Sequence, residues 1–334
     1  MNPIKYFLLL FLLVIISCSN EESSNKTFIV SLIKEENDKK FNSLEKGLLD
    51  QISLDKLNVK LNFYTSNGDD ASIIQIANNV RDDNSTIAIV LGENTTLLSM
   101  NIIVPQSIVF AGCFNHISLS SINKNKIQNN NITGVYVDLD MTKYLKIISD
   151  KDIKSLGYLY IGDSRISSHI SGDLEKYCKD ENIIYHPMEI KDSYTINDIE
   201  AVITSKEIDY LFIAKDNYID DNIYNIDYLC DKHSIPIINT DIENALNSDI
   251  LFSLDCNYYY LGRKLALLLN EVMKNNGKTE GIEFVEVTDS YEILLNKDIS
   301  KMYQINFSDK IVEKSSIIIS NRNVIKNNIG GFIR

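Results

Sequence analysis

The chain has 334 residues, with 33 lysine and arginine side chains against 46 aspartate and glutamate side chains, and a formal net charge of −13. An acidic protein of this kind is a poor match for nucleic acid, because phosphates require a basic surface. The length is sufficient for two domains of ordinary size. After the N-terminal segment there is no second long apolar run, so the sequence predicts a soluble body.

The N-terminal segment contains an uninterrupted apolar run at residues 6–16, which follows Lys5 and ends at the small residue Ser17. A positive charge, an apolar run and a small residue in this order are typical of a secretory signal. The run is too short to cross a bilayer. The sequence therefore predicts export, and an ordinary signal peptide or an uncleaved helical anchor are two alternatives for this segment.

Residues 15–18, Ile-Ile-Ser-Cys, resemble the lipobox of bacterial lipoproteins. In those proteins the signal is cleaved before the cysteine, and the cysteine then carries lipid. The resemblance implies a signal peptide at residues 1–17, palmitate or a similar acyl group on Cys18, and a flexible polar tether at residues 18–26. Two or more acyl chains hold a protein stably at a membrane. We therefore expect a protein anchored to a bacterial membrane and facing the periplasm or the exterior.

The first half of the body alternates short β-branched runs with amphipathic stretches. The runs predicted to be strands are residues 28–33, 59–64, 86–92 and 107–112. Helices are predicted at residues 38–52 and around residues 73–80, where Ile73, Ile74, Ala77 and Val80 are expected on one face. Repeated alternation of strand and helix predicts a parallel sheet covered by helices.

The same alternation begins again after an Asn- and Lys-rich connection at residues 120–131. The predicted strands are residues 156–162, 182–190, 210–216 and 235–241, and the predicted helices between them are residues 166–180, 195–206 and 221–233. No sequence repeat relates the two sets. The fold class predicted from the residues is α/β, with two doubly wound parallel-sheet lobes.

Five short polar loops follow predicted strands, at residues 92–96, 112–116, 162–168, 215–218 and 239–244. In open parallel sheets, ligands bind beyond the carboxyl ends of the strands. The residues of these loops also cap helices and form turns, which is the alternative role of Asn94, Thr95, Ser164 and Asp241. Because five such loops lie at the same edges of two sheets, we expect a shared ligand cleft between the lobes.

Motifs for catalysis, cofactors or metals are absent from the sequence. The histidines are scattered, and the cysteines after Cys18 are widely spaced at positions 113, 178, 230 and 256. Neither set has the spacing of a metal or redox motif. We expect free thiols, with one disulfide as the alternative, and no metal or cofactor. Asp216 and Asp241 could be imagined as an acid and base, but no nucleophile accompanies them, so the sequence favours a binding protein over an enzyme.

An ordered set of short segments resembles a known family, the lipoprotein substrate-binding components of ABC importers that include tryptophan and tyrosine binders. The segments are residues 67–80, 108–112, 131–135, 214–217, 235–241 and 254–278. The strongest is the last one, with an aromatic pair followed by Leu-Gly and an apolar helix. The resemblance covers about residues 27–310. It implies the type I periplasmic-binding-protein fold, in which three crossovers join two lobes.

The resemblance also implies the domain boundaries. The N-terminal lobe would comprise residues 27–138 and 247–286, and the C-terminal lobe residues 139–246 and 287–310. The chain would return to the first lobe near residues 247–254. Residues 311–334 form a C-terminal tail that the resemblance does not place.

The function implied is that of an extracytoplasmic solute-binding lipoprotein. It would capture a small molecule, an aromatic amino acid first of all, by closure of the lobes. It would then deliver that molecule to the permease and ATPase subunits of an ABC importer. The partners implied are the small molecule, those subunits and, through Cys18, the membrane, and the protein would act as a monomer.

The predicted site places the ligand ammonium on Asp216 or Asp241, because a cation prefers carboxylates. Asn217 and Asn115 would be polar partners. The ligand carboxylate would bind hydroxyls and backbone N–H groups at one of two places, which are the loop of Asn94, Thr95 and Thr96 or, alternatively, Ser167. The chain has no Trp, so an aromatic ligand would stack on Phe114 or Tyr218.

Departures from the family pattern leave other solutes open. Residues 34–40 are more charged than is usual, Asn115 stands where an acidic residue is common, and Arg165 is unexpected. Residues 36–48 resemble the first loop and helix of nucleoside-binding lipoproteins, so a nucleoside binder is the alternative. A surface lipoprotein that keeps the fold without transport is another.

Overall fold

The computed structural model describes residues 26–114, 116–138, 145–146, 153–162, 165–214, 216–288 and 291–326. The predicted signal peptide, Cys18 and most of the tether lie outside these ranges, as does Asn115. Side chains are also not described for Phe114 and Asn217. Among the helices in these ranges, none has both the length and the apolar character that a bilayer span requires.

The first lobe is built on a six-stranded sheet in the order β11-β5-β4-β3-β1-β2. All of its neighbouring strands are parallel. The strands are β1 (Phe28–Lys34), β2 (Val59–Thr65), β3 (Ile87–Leu91), β4 (Ser107–Phe114), β5 (Ile132–Asp138) and β11 (Val285–Glu286). Every residue of β3 is buried, which is typical of a parallel strand covered on both faces.

The helices of the first lobe are α1 (Lys39–Leu54), α2 (Asp70–Asp82), α3 (Glu93–Ser99), α4 (His116–Asn129) and α10 (Tyr258–Lys274). Helices α1 and α10 pack together over the sheet. A Cβ atom on Gly47 would collide with the backbone of Tyr259, and one on Gly262 with the backbone of Leu44. These two glycines therefore allow the helix backbones to come into direct contact.

The second lobe is built on an eight-stranded sheet in the order β14-β13-β12-β10-β9-β8-β6-β7. Its strands are β6 (Ser155–Ile161), β7 (Ile184–Ile190), β8 (Tyr210–Ile213), β9 (Ile237–Asn239), β10 (Phe252–Cys256), β12 (Tyr291–Asn296), β13 (Ile317–Ser320) and β14 (Asn323–Lys326). Strand β12 is antiparallel to β10, and β14 is antiparallel to β13. The sheet is therefore mixed, because its last strands arrive from the other lobe and from a hairpin.

The helices described in the second lobe cover this sheet. They are α5 (Arg165–Asp180), α6 (Ile196–Ile203), α7 (Asn217–Asp221), α8 (Ile223–Lys232), α9 (Ile242–Asn247), α11 (Lys297–Met302) and α12 (Asp309–Lys314). Apolar clusters lie on both faces of the sheet, one around Phe212 and Phe252 and the other around Leu211 and Ile237. The predicted fold class, two α/β lobes built on largely parallel sheets, is confirmed.

Two of the predicted boundaries differ from the observed topology. Strand β10 pairs with β9 and β12 in the second sheet, so the chain returns to the first lobe after Cys256 rather than near residues 247–254. Residues 311–334 were predicted to be a tail, yet they contribute β13 and β14 to the second sheet. A short apolar run shows that a strand forms but not which sheet it joins, and that is why both boundaries were misplaced.

Candidate functional site

A cavity of about 530 Å³ lies where the carboxyl ends of the first sheet face the second lobe. Parallel strands end at the same edge, so the loops that follow them meet there. The cavity is lined by Glu35, Glu36, Asp38, Lys40, Phe41, Asn67, Gly68, Asp69, Gly92, Glu93, Gly112, Cys113, Asp216 and Tyr258. Asp216 comes from the second lobe and the other lining residues come from the first lobe or from the start of α10.

Glu35 is the first residue after β1, and its carboxylate reaches the first turn of α3. Its Oε2 accepts hydrogen bonds from the backbone N of Thr95 at 3.0 Å and from the Thr95 hydroxyl at 3.1 Å. Burial raises the pKa of Glu35, the nearby charge of Glu36 also raises it, and the hydrogen bonds from Thr95 lower it. The net direction is upward, so desolvation has the larger effect.

Gly92 makes this position of Glu35 possible. Its backbone φ is +116°, a value that residues other than glycine rarely adopt. A Cβ atom at residue 92 would also collide with the Glu35 carboxylate. The carboxylate therefore packs directly against the backbone between β3 and α3.

Glu93 is the first residue of α3 and forms part of the same wall. The hydroxyl of Ser118 donates a hydrogen bond to it. Burial raises the pKa of Glu93, and the neighbouring charge of Glu35 raises it further. The two carboxylates thus lie close enough to repel each other, in a partly desolvated wall where a cation would be stabilised.

Lys40 connects the two lobes at one side of the cavity. Its Nζ lies 2.9 Å from Oδ2 of Asp241 and 3.9 Å from Oδ2 of Asp255, and none of the three side chains is more than 12% exposed. Burial raises the pKa of Asp255 and Asp241 raises it further, whereas Lys40 lowers it. Asp241 also caps α9 by accepting from the backbone N of Asn244 at 3.1 Å. We call Lys40, Asp241 and Asp255 the interlobe trio.

Tyr258, the first residue of α10, supplies an aromatic wall. Its hydroxyl oxygen lies 3.5 Å from the sulfur of Cys113, and burial raises its pKa. The Nζ of Lys40 lies 5.9 Å from the centroid of the Tyr258 ring. That distance is within the range in which an aromatic face attracts a cation.

The predicted ligand-binding residues do not all meet at the cavity. Among those whose side chains the structure describes, Asp216 lies on the cavity wall. It also caps α7, because its Oδ1 accepts from the backbone N of Tyr218 at 3.0 Å. The side chain of Tyr218 packs against the apolar cluster of the second lobe. Its hydroxyl donates to the carbonyl of Tyr194 at 3.0 Å.

The residues predicted to bind a ligand carboxylate make contacts within the chain instead. Asn94 donates to Asp70 at 2.9 Å, and the Thr96 hydroxyl donates to the carbonyl of Gly92 at 2.6 Å. Thr95 donates to Glu35, as described above. Ser167 is buried in α5 and forms a hydrogen bond with Tyr158.

Sequence reasoning missed Glu35, Glu93, Tyr258 and Lys40. The signals were the charged loop at residues 34–40 for Glu35 and Lys40, the polar loop at residues 92–96 for Glu93, and the aromatic pair of the segment at residues 254–278 for Tyr258. None of them indicates which side chain enters the cleft. The cysteines at positions 113, 178, 230 and 256 are free thiols. Within the part of the chain that the structure describes, no His, Cys, Asp and Glu side chains group in a way that could hold a metal ion.

A family model matches most of the chain, and its description is ABC transporter substrate binding protein. The match covers residues 27–318. No curated protein matches this sequence.

Several solved structures are similar in fold. A conserved domain protein from Vibrio cholerae has 16% identity and a TM-score of 0.70, over 88% of this chain and 100% of that one. An ABC domain in complex with L-Trp from Streptococcus pneumoniae has 14% identity and a TM-score of 0.68, over 88% and 100%. A ligand-free, open substrate-binding protein with adhesive properties from Clostridium difficile has 15% identity and a TM-score of 0.70, over 84% and 96%.

Proposed function

Because the chain belongs to the ABC transporter substrate-binding protein family, we propose that it captures a small amine-bearing solute between its two lobes and delivers it to an ABC permease. The observation that carries this proposal is the interlobe cavity of about 530 Å³, whose walls contain six carboxylates and two aromatic rings. A cavity of this volume is of the size that small-molecule ligands occupy. An aromatic amino acid remains the solute predicted from the sequence.

Lobe closure would couple binding to delivery. Asp216 belongs to the second lobe, while Glu35, Glu93 and Tyr258 line the cavity from the first-lobe side. A solute that contacts both sides binds the closed form better than the open form, and so shifts the population toward closure. The closed form would then dock on the permease. The family is one of substrate-binding proteins, so we propose binding without catalysis.

The family is extracytoplasmic, and we propose that this protein is held at the membrane by lipid on Cys18. The Ile-Ile-Ser-Cys segment at residues 15–18 supports that proposal. The polar residues that follow would act as a tether long enough to let the lobes reach a permease. Mass spectrometry of the mature N-terminus tests this, and a chain that still carries residues 1–17 would contradict it.

Thermal shift with the full chain in detergent tests the proposed function. The panel comprises amino acids, amines, nucleosides and nucleobases. A solute at about 100 times its dissociation constant stabilises the folded state by about 2.7 kcal/mol. We expect at least one amine-bearing solute to raise Tm.

The variant Asp216→Ala should weaken that rise, because it removes a cavity carboxylate. Glu271→Ala on the exposed end of α10 should leave the rise unchanged and is the matched control. A shift with nucleosides alone would favour the alternative nucleoside binder. No shift with any solute would favour a surface lipoprotein without transport.

A further inference from the structure

We infer that the solute is an amine that carries no carboxylate group, and that Glu35 determines this specificity. The inference rests on the proposed solute-binding role of the cavity. It goes further because it divides amine-bearing solutes into two chemical classes, amino acids and amines without a carboxylate, and chooses the second.

The first reason is that Glu35 already occupies the donors that a ligand carboxylate would need. The backbone N and the hydroxyl of Thr95 both donate to Glu35 Oε2, at 3.0 and 3.1 Å. Sequence reasoning assigned these same groups to a ligand carboxylate. A carboxylate entering here would have to displace Glu35 and then lie beside Glu36 and Glu93.

The second reason is the charge of the wall. Six carboxylates line the cavity, and among the lining residues that the structure describes Lys40 is the one cation. Lys40 is already 2.9 Å from Asp241. Three of the six, Asp38, Asp69 and Asp216, cap helices by accepting hydrogen bonds from backbone N–H groups. Repulsion by unfavourably placed like charges is an effective way to exclude a wrong ligand.

The third reason is that the cavity wall also offers apolar surface to the alkyl or aryl group of an amine. Phe41 and Tyr258 line the cavity, so an alkyl or aryl group has apolar surface to contact. The Tyr258 ring already lies 5.9 Å from the Nζ of Lys40, which shows that a cation is tolerated near its face. Amines that combine an ammonium group with an apolar chain therefore match the cavity in charge and in shape.

Isothermal titration of the full chain in detergent, with matched pairs of solutes, tests the inference. The pairs are tryptamine with tryptophan, tyramine with tyrosine, cadaverine with lysine, and putrescine with ornithine. Within each pair the ammonium group and the carbon chain are shared, and only the carboxylate differs. We expect at least one amine to bind about tenfold or more tightly than its amino acid.

The outcomes separate the inference from the proposed function. If the amino acid of every pair binds as tightly as its amine or more so, the inference is wrong and the solute-binding role stands. Binding of nucleosides alone would overturn the inference and change the solute class. If no solute of any class binds, the solute-binding function fails and the inference fails with it.

The variant Glu35→Gln tests the role of the residue itself. Glutamine keeps the shape and an acceptor for Thr95 but removes the charge, so amine affinity should fall about tenfold while amino-acid affinity stays or rises. The control Glu271→Gln makes the same charge change on α10, thirteen residues or about 20 Å beyond Tyr258 along the helix. It should change neither the amine affinity nor the amino-acid affinity. Equal weakening of both solute classes by Glu35→Gln would show a merely structural role. If Glu35→Gln does not fold, Glu93→Gln removes the neighbouring carboxylate of the same cavity wall, and amine affinity should again fall while amino-acid affinity stays or rises.

Discussion

Two groups of carboxylates lie on either side of the same cleft, and they are balanced in different ways. In the interlobe trio, Asp241 and Asp255 share the ammonium of Lys40, so charge is compensated within the chain. On the cavity wall, Glu35 and Glu93 accept hydrogen bonds from the neutral groups of Thr95 and Ser118. Both groups are partly or largely buried, and burial raises the pKa of Glu35, Glu93 and Asp255.

This difference in how the carboxylates are balanced suggests different roles, a structural one for the interlobe trio and a binding one for Glu35 and Glu93. A buried carboxylate paired with a cation is a fixed part of the fold, and removal of the cation leaves an uncompensated charge. A carboxylate held by neutral donors stays oriented, yet its charge can still attract a cation from solution. We therefore propose that a solute recognises the wall of Glu35 and Glu93, whereas the trio joins the two lobes in the arrangement seen here.

The largest effect is expected from Lys40→Met, which breaks the interlobe trio. Asp241 and Asp255 would then lie together in a buried place without their shared cation, so the free energy of unfolding should fall by about 3–5 kcal/mol. Urea denaturation measures this loss. The matched control is Lys46→Met on the same helix, because the Lys46–Asp50 pair is exposed, and its effect should stay below about 1 kcal/mol. Equal effects of the two substitutions would contradict the comparison.

A smaller effect is expected from Gly92→Ala, which disturbs the cavity wall. The positive φ of Gly92 disfavours alanine, and the new methyl group would push Glu35 away from Thr95. The free energy of unfolding should fall by about 1–3 kcal/mol, and amine binding should weaken at the same time. Gly172→Ala is the control, because a Cβ atom there meets nothing and the residue lies in α5. That substitution should be neutral or stabilise by up to about 1 kcal/mol.

The smallest stability effect is expected from Glu35→Gln, and its sign depends on pH. The pKa of Glu35 is raised above its ordinary value of 4.5, so the folded state holds this proton more tightly than the unfolded state does. The resulting stabilisation is fully present below the unfolded pKa and is lost as pH rises through the folded pKa. Glu35→Gln should therefore raise Tm at neutral pH, and this gain should shrink as pH falls toward 4.5.

Melting curves of Glu35→Gln and of the unmodified protein across that pH range provide the measurement. Asp198→Asn should show the opposite pH dependence, since hydrogen bonds from Thr195 lower the pKa of Asp198. Replacing the Asp198 carboxylate with an amide should therefore lower Tm most at neutral pH, where the carboxylate is charged. A Tm difference for Glu35→Gln that does not change with pH would show that desolvation of the carboxylate is not the cause.

The elements of the fold were largely readable from the sequence, because strand and helix periodicities are local. The run at residues 28–33 became β1 (Phe28–Lys34), and residues 38–52 became α1 (Lys39–Leu54). The predicted strand at residues 235–241 was shorter in the structure, β9 being Ile237–Asn239, because its last residues turn into the cap of α9. Sheet membership was less readable, as β10 and β13 show.

The candidate cavity lies at the edge of the sheet where the sequence predicts a site, and most of its lining residues are not among the predicted ones. Asp216 was expected in the cleft and lines the cavity. Thr95 was expected to bind solute and instead holds Glu35. A threonine at a helix start has the same local pattern whether its donors serve a ligand or another part of the chain. That choice depends on Glu35, which is distant in sequence from Thr95.

The sequence by itself determined the alternation of strands and helices, the two-lobed α/β class and the edge at which loops converge, because these follow from periodicity and from the rules of parallel sheets. The tertiary structure alone decided that Lys40 pairs with Asp241 across the lobes and that Glu35 fills the place beside Gly92. Both contacts join residues far apart in the chain. Their energies depend on burial and distance, which no local pattern of residues records.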